Sequence, residues 1–225
     1  MAKTILLDVD GTLIDSNDAH ARSWIEALEE AGFEPQYPSI RKKIGMGGDQ
    51  LLPRVTGVDI DDEEGQQISK RRGEIFRTKY LPNLKAFRGA REFLQRLQAE
   101  GYQLVIATSA SEEDLEGLLR QAGIDDLNIP TATAADAKNS KPDSDIVEAA
   151  LKKVGAKAKD AIMIGDTPYD IIAAEKAGVR TIGFCCGGWN KDDLKGAVAV
   201  YEGPWDLLEQ LDHSPLVDRI ERMAS

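Results

Sequence analysis

An α/β fold, a doubly wound, Rossmann-like parallel sheet interrupted by an inserted α-helical segment, is predicted by three observations. Short apolar runs at Thr4 to Asp8, Gln103 to Thr108, Ala161 to Gly165, Arg180 to Cys185 and Val198 to Tyr201 read as buried parallel strands. Helical patterns separate most of them and end on glycines, at Gly101, Gly123, Gly155 and Gly178. Between Ser16 and Phe87 the alternation stops, and only helical segments such as Asp18 to Ala31 and Glu63 to Tyr80 are recognisable. Residues 1–15 and 88–225 are therefore expected to form the α/β core, and residues 16–87 a separate helical cap.

Within the core, Gly89 to Glu100 carries apolar Ala90, Phe93, Leu94 and Leu97 at helical spacing. Ser111 to Ala122 opens on a Ser-x-x-Asp cap, and Asp143 to Val154 and Pro168 to Ala177 repeat the theme. In the cap, Pro35, Pro38, Pro53 and the small residues Gly45 to Gly48 punctuate the helical pattern, and Pro82 to Gly89 leads back to the sheet. The tail His213 to Ser225 is amphipathic and is assigned no function.

The first strand runs directly into Asp8-Val9-Asp10-Gly11-Thr12-Leu13. Two carboxylates one residue apart at a strand exit can hold a hard cation, and a Gly-Thr turn lets backbone approach an anion. The same residues also make ordinary turns. Three further groups fall at strand ends or helix starts: Thr108 and Ser109, Lys141, and Asp166 with Asp170. Each alone also reads as a helix cap or a loop. In a parallel sheet, however, the carboxyl ends of the strands share one edge, so all four groups converge on one crevice.

In that order, DVDGTL from Asp8, IATSAS around Ser109, SKPD at Lys141 and GDTPYD through Asp166 and Asp170 resemble the four motifs of the haloacid dehalogenase superfamily. The resemblance spans nearly the whole chain. It extends to the insertion, which matches the α-helical cap subclass that includes phosphoglycolate phosphatases and β-phosphoglucomutases. It implies a Mg2+-dependent phosphatase acting on a small phosphorylated metabolite, such as a sugar phosphate or phosphoglycolate, through an aspartyl-phosphate intermediate. On this reading Asp8 is the nucleophile and a metal ligand, joined at the metal by Asp166 and the backbone carbonyl of Asp10. The Asp10 side chain is the acid and base, and is expected to be protonated when substrate arrives. Ser109, preferred over Thr108, holds the phosphoryl group together with backbone N–H groups near Val9 and Ala110. Lys141 neutralises its charge, and Asp170 orients Lys141 or the metal's water shell.

His20, Gly47 and Gly48 are the cap residues expected near substrate, and Arg41, Lys42, Lys43 and Arg54 flank the glycine loop. His20 and Trp24 follow the first motif much as a His and a Trp do in β-phosphoglucomutases, which makes a sugar-phosphate mutase the main alternative. The missing Arg in the Gly45 to Asp49 loop favours hydrolysis. A dehalogenase is disfavoured by Asp10, and a Schiff-base phosphonate hydrolase by the loose fit of Lys42 or Lys43. A receiver-type signalling module would lack both the helical insertion and the late acidic pair.

Composition sets outer bounds. The 225-residue chain carries a net charge of -11, spread over mixed-sign helices, which argues against nucleic acid or an anionic membrane as partner. No apolar run reaches the length of a membrane span and no leader segment is recognisable, so a cytoplasmic location is expected. Cys185 and Cys186 are adjacent and expected to be reduced. The expected partner is a small phosphate ester, and a monomer and a dimer both remain open.

Overall fold

A computed structural model describes residues 4–217 of the chain. Strand β1 (Thr4–Leu7) is followed by a helical segment of α1 (Asn17–Glu30), α2 (Tyr37–Arg41), α3 (Gly48–Thr56) and α4 (Glu63–Ile75), the last running on into a π-helical turn, Phe76–Tyr80. The chain then alternates: α5 (Ala90–Ala99), β2 (Gln103–Ala107), α6 (Glu112–Ala122), β3 (Thr131–Ala132), α7 (Asp145–Val154), β4 (Ala161–Gly165), α8 (Pro168–Lys176), β5 (Arg180–Phe184), β6 (Ala199–Tyr201) and α9 (Pro204–Glu209). The six strands form one parallel sheet in the order β3-β2-β1-β4-β5-β6.

The period-two alternation of the central strands sends side chains to two separate cores. Ile5 and Leu7 face a cluster built with Phe93, Leu94 and Leu97 of α5, Leu115 and Leu118 of α6 and Leu207 of α9. Leu6, Val105 and Met163 face the opposite cluster, built with Ile146, Val147 and Leu151 of α7 and Ala173 and Ala174 of α8. Both faces are therefore covered, as continuous apolar strands require. The 17–83 helices pack around a third cluster of their own, which includes Trp24, Leu28, Ile40, Leu51, Leu52, Ile68 and Ile75.

The chain enters and leaves this helical segment through two strands of backbone lying side by side. Phe87 N–H donates to the Leu13 carbonyl at 3.0 Å and Asp15 N–H to the Lys85 carbonyl at 3.0 Å, with Ile14 bridged to Ala86 in antiparallel sense.

Four elements differ from the expectations drawn from sequence. Strand β3 has only two residues, Thr131 and Ala132, too few to show a period, and its pairing with Ile106 and Ala107 of β2 is what makes it a strand. Pro38 lies in the first turn of α2, where its missing N–H costs nothing, and Pro53 is accommodated inside the short α3. Gly48 begins α3 rather than continuing a loop, and Cys185 falls just beyond the end of β5. Of the C-terminal tail, residues 218–225 lie outside the described residues.

Phe93 is fully buried, with its ring edge-on to Phe184 at 6.3 Å between centroids. Truncation to alanine removes this contact and leaves a cavity beneath the sheet. Phe93→Ala is expected to lower the unfolding free energy by about 3–5 kcal/mol. The check is urea unfolding followed by circular dichroism; a loss below 1 kcal/mol would show that this face of the sheet does not depend on α5.

Candidate active site

The strand register aligns the site. Leu7 pairs with Ile106 on one side and Ile164 on the other, so Asp8, Thr108 and Asp166 leave the sheet at neighbouring points of one edge. Asp8 N–H donates to the Ile164 carbonyl at 2.9 Å, which fixes the start of the turn. Gly11 adopts φ +74°, and a Cβ there would stand 2.4 Å from Asp166 Oδ2, so glycine is required by both conformation and space.

Lys141 lies beneath the sheet edge, 1% exposed, with its Nζ 2.5 Å from Asp8 Oδ1 and 2.7 Å from Asp170 Oδ1. Asp170 in turn accepts from the Thr167 N–H at 3.0 Å and hydroxyl at 2.7 Å, while Thr167 caps α8 by accepting from Asp170 N–H. One reciprocal capping box thus starts α8 and aims a carboxylate at the buried ammonium.

Asp166 is fully buried. The single hydroxyl proton of Thr12 has two acceptors within 3.2 Å, Asp8 Oδ2 and Asp166 Oδ1, and can satisfy only one of them at a time. Oxygen atoms of Asp8, Asp166 and Asp170 lie within 4.8 Å of one another. Lys141 touches Asp8 and Asp170 but not Asp166, and the facing oxygens of Asp8 and Asp166 share the one Thr12 proton, so these two oxygens have fewer donors than they can accept. A hard divalent cation such as Mg2+ suits this all-oxygen, under-donated pair.

Burial pushes the Asp8 carboxyl up from its ordinary value to about 7, helped by Asp170 and Asp10 and opposed by Lys141. Burial, with Asp170 and Asp8 nearby, also raises Asp166 well above the usual carboxylate range.

Asp10 has different surroundings. Its Oδ1 accepts from Ser16 Oγ at 2.5 Å and from His20 Nε2 at 2.7 Å, while its Oδ2 has no hydrogen-bond partner among the described residues. Burial raises the Asp10 carboxyl, but His20, Ser16 and Arg72 outweigh it and hold the group below its ordinary value. The protonated Asp10 expected when substrate arrives would have to form against these neighbours, which favour the carboxylate. The cause is helix α1, which brings His20 onto the carboxylate.

His20 is buried, its ring stacked on Phe76 at 4.1 Å, and its Nδ1 contacts a guanidinium nitrogen of Arg72. Arg72 offers only donors, so Nδ1 accepts from it and Nε2–H faces Asp10. Arg72 and Arg77, both in the helical segment, also reach Asp114 on α6 at 3.1 and 2.8 Å. Thus Asp114, whose N–H completes the expected cap with Ser111, turns its carboxylate to the other side of the crevice.

A cavity of about 670 Å³ between the sheet edge and the helices is lined by Asp8, Asp10, His20, Gly47, Gly48, Thr108 and Ser109, among others. Thr108 is buried, and its hydroxyl accepts the Ala110 N–H at 3.1 Å, which occupies that N–H locally. Ser109 Oγ is buried and has no partner among the described residues. Thr108 thus keeps its own O–H proton, whereas Ser109 has neither its donor nor its acceptor engaged among the described residues.

Gly47 permits close approach: a Cβ would stand 2.1 Å from Ser140 Oγ, beside the Lys141 loop, and Asp49 accepts from Ser140 N–H at 3.1 Å. A Cβ on Gly48 would meet Trp24 at 3.2 Å. Arg41 does not lie on an open charged face; it is bonded to Asp18 at 2.7 Å and to the Gly187 carbonyl at 2.5 Å. The cations that line the cavity are instead Lys70, Arg72, Arg77 and Lys138.

Sequence reasoning missed Thr12, Asn17, Arg72 and Asp114 as members of this site. Thr12 sits inside the quoted motif, and Asn17 lies just past it. Arg72 and Asp114 carry no local signal, because their partners come from distant parts of the chain.

The model of the haloacid dehalogenase-like hydrolase family matches residues 5–184, so the chain belongs to that family. A pyrophosphatase, PpaX, from Bacillus velezensis is 30% identical over 209 residues, covering 92% of each chain. A phosphoglycolate phosphatase from Aquifex aeolicus is 29% identical over 219 residues, covering 94% of this chain and 97% of its own. The crystal structure of a hydrolase from Pseudomonas syringae superposes with a TM-score of 0.88 at 32% identity, covering 94% of this chain and 98% of that one.

Because the Asp8 carboxyl is raised from 3.8 to about 7 in the fold, the folded chain keeps a proton that the unfolded chain sheds near pH 4. Rising pH therefore costs stability between about pH 4 and about pH 7, and the full cost is present above that. In EDTA, the Tm of Asp8→Asn minus that of the wild type is expected to climb across this window and then level off. A difference that stays flat from pH 4.5 to 8 in differential scanning fluorimetry would show that Asp8 titrates normally.

Proposed function

From membership of the haloacid dehalogenase-like hydrolases, we propose that this chain is a Mg2+-dependent phosphatase of a small phosphorylated metabolite, with residues 16–87 acting as its cap. The observation that carries the reading is the buried Lys141 ammonium 2.5 Å from Asp8 Oδ1, beside a cavity that Asp8 and Asp10 line. A carboxylate attacks an anionic phosphoryl group only where positive charge is concentrated.

Asp8 attacks phosphorus as the bond to the leaving oxygen breaks, giving an aspartyl phosphate. The leaving oxygen takes a proton from Asp10. Asp10 then removes a proton from water, whose oxygen attacks the same phosphorus, freeing phosphate and restoring the Asp8 carboxylate. An incoming phosphoryl dianion raises the proton affinity of Asp10, against the opposing pull of His20. Only Oδ2 handles this proton, since Oδ1 is held by Ser16 and His20.

Asp8, Asp166 and the Asp10 carbonyl are assigned to Mg2+, which when bound supplies charge neutralisation at the phosphoryl oxygens. Ser109 Oγ donates to a phosphoryl oxygen, and Lys141 balances the charge on Asp8. Asp170 holds Lys141 in place. Above the reacting centre, His20, Gly47 and Gly48 meet the leaving group. The polar and cationic lining from Gln66, Ser69, Lys70 and Arg77 suits a hydrophilic leaving group, such as a sugar or a hydroxy acid. The two curated relatives described above act, by name, on pyrophosphate and on phosphoglycolate.

One observation favours a second reading, a sugar-phosphate mutase: His20 contacts the acid-base carboxylate directly. Against it, the loop from Gly45 to Asp49 brings no arginine into the cavity.

Hydrolysis of p-nitrophenyl phosphate with Mg2+ is expected for the wild type, with a fall of at least about 1000-fold for Asp8→Asn, the order of loss that follows removal of a nucleophile. Full activity in that variant would overturn the nucleophile assignment. Interconversion of hexose 1- and 6-phosphates without net phosphate release, followed by 31P NMR, would replace hydrolysis with the mutase reading.

A further inference from the structure

We propose that Asn17 is a positioning residue for the Asp166 carboxylate, so that the root of the helical cap helps to set how tightly the site holds a divalent cation. The inference rests on the assignment of Asp166 to Mg2+ made above.

Asn17 is the first residue of α1, yet its side chain does not cap its own helix. It reaches across the sheet edge instead. Its Nδ2 donates to Asp166 Oδ2 at 2.8 Å and to the Gly187 carbonyl, beyond β5, at 3.0 Å, so both amide protons are in use. Asn17 is 2% exposed. Its Oδ1 is buried and has no partner among the described residues. A buried acceptor without a donor is unfavourable, and the water shell of a bound Mg2+ carries donors of the kind this oxygen lacks.

The pair is held between two stretches of backbone that leave room for no side chain. A Cβ on Gly11 would stand 2.1 Å from Asn17 Nδ2, and one on Gly187 would stand 1.7 Å from Asp166 Oδ2. With Oδ2 engaged by Asn17, Asp166 turns its Oδ1 toward Thr12 and the Asp8 side of the site. A carboxylate fixed through one oxygen in this way presents the other in a single orientation, and loss of such a supporting bond typically weakens metal binding 10–100-fold. The neutral amide gives this support without adding another negative charge to a site that already holds Asp8, Asp166 and Asp170.

The same anchor has a second arm. Arg41 of α2 donates to the Gly187 carbonyl at 2.5 Å and to Asp18, the residue next to Asn17, at 2.7 Å. Two residues of the helical segment therefore converge on the carbonyl of Gly187, the residue whose Cα lies against Asp166.

The test is calorimetric titration of the whole chain with MgCl2, with no substrate present. Asn17→Leu keeps the approximate shape and removes both donors; it is expected to raise the Mg2+ Kd by roughly 10–100-fold while leaving the melting temperature in EDTA within a few degrees of the wild type. Asn17→Ser, which restores one donor, is expected to fall between the two, and it decides the matter if Asn17→Leu does not fold. Wild-type Mg2+ affinity in the folded Asn17 variants, alongside loss of binding in Asp166→Asn, would overturn the role of Asn17 alone. Wild-type affinity in Asp166→Asn would overturn the cation assignment, and this inference with it.

Discussion

The arrangement depends on one buried ammonium group. Lys141 is almost inaccessible to water and stands within 2.7 Å of both Asp8 and Asp170. A lysine so placed without partners would lose its charge, and the carboxylates without it would resist ionising together. Burial depresses the proton affinity of Lys141, but Asp170 and Asp8 outweigh it and raise that affinity above the ordinary lysine value. The three groups are therefore mutually required. Asp170 is supplied by the first turn of α8, Asp8 by the exit of β1 and Lys141 by the loop before α7, so the charge balance also ties three separate parts of the sheet edge together.

The helical segment acts on this centre from above at separate points. His20 and Ser16 engage Asp10, Asn17 engages Asp166, and Asp49 engages the backbone next to Lys141. Arg72 and Arg77 extend across to Asp114 on the far side of the cavity. The helical segment thus touches Asp10, Asp166 and the lysine loop, while its own apolar cluster keeps it a packed unit.

Much of this was legible in the sequence because the key side chains lie in short segments at strand ends, where one motif specifies both a turn and a chemical group. Asp8, Asp10, Ser109, Lys141, Asp166 and Asp170 all carry that local mark. The contacts that tune them do not. Asn17 meets Asp166 across 149 residues, and Arg72 meets Asp114 across 42, with nothing in either neighbourhood to announce the partner. The contact between His20 and Asp10 was hidden for the same reason: proximity of carboxylates is visible in sequence, whereas the imidazole laid on one of them is a product of how the helical segment packs. Strand β3 escaped notice because two residues have no periodicity, and α3 because its proline and glycines resemble a loop.

The paired linkers at Leu13 to Asp15 and Lys85 to Phe87 have an evolutionary consequence. Because backbone hydrogen bonds hold the two ends of the helical segment side by side, whatever lies between them can be lengthened, trimmed or exchanged without shifting the register of β1. The sheet perceives the insertion only as a closed loop. Selection can therefore rework the surface that greets the leaving group while the phosphoryl chemistry below is inherited unchanged, provided the residues at the root of the loop, Ser16, Asn17 and His20, go on touching the carboxylates.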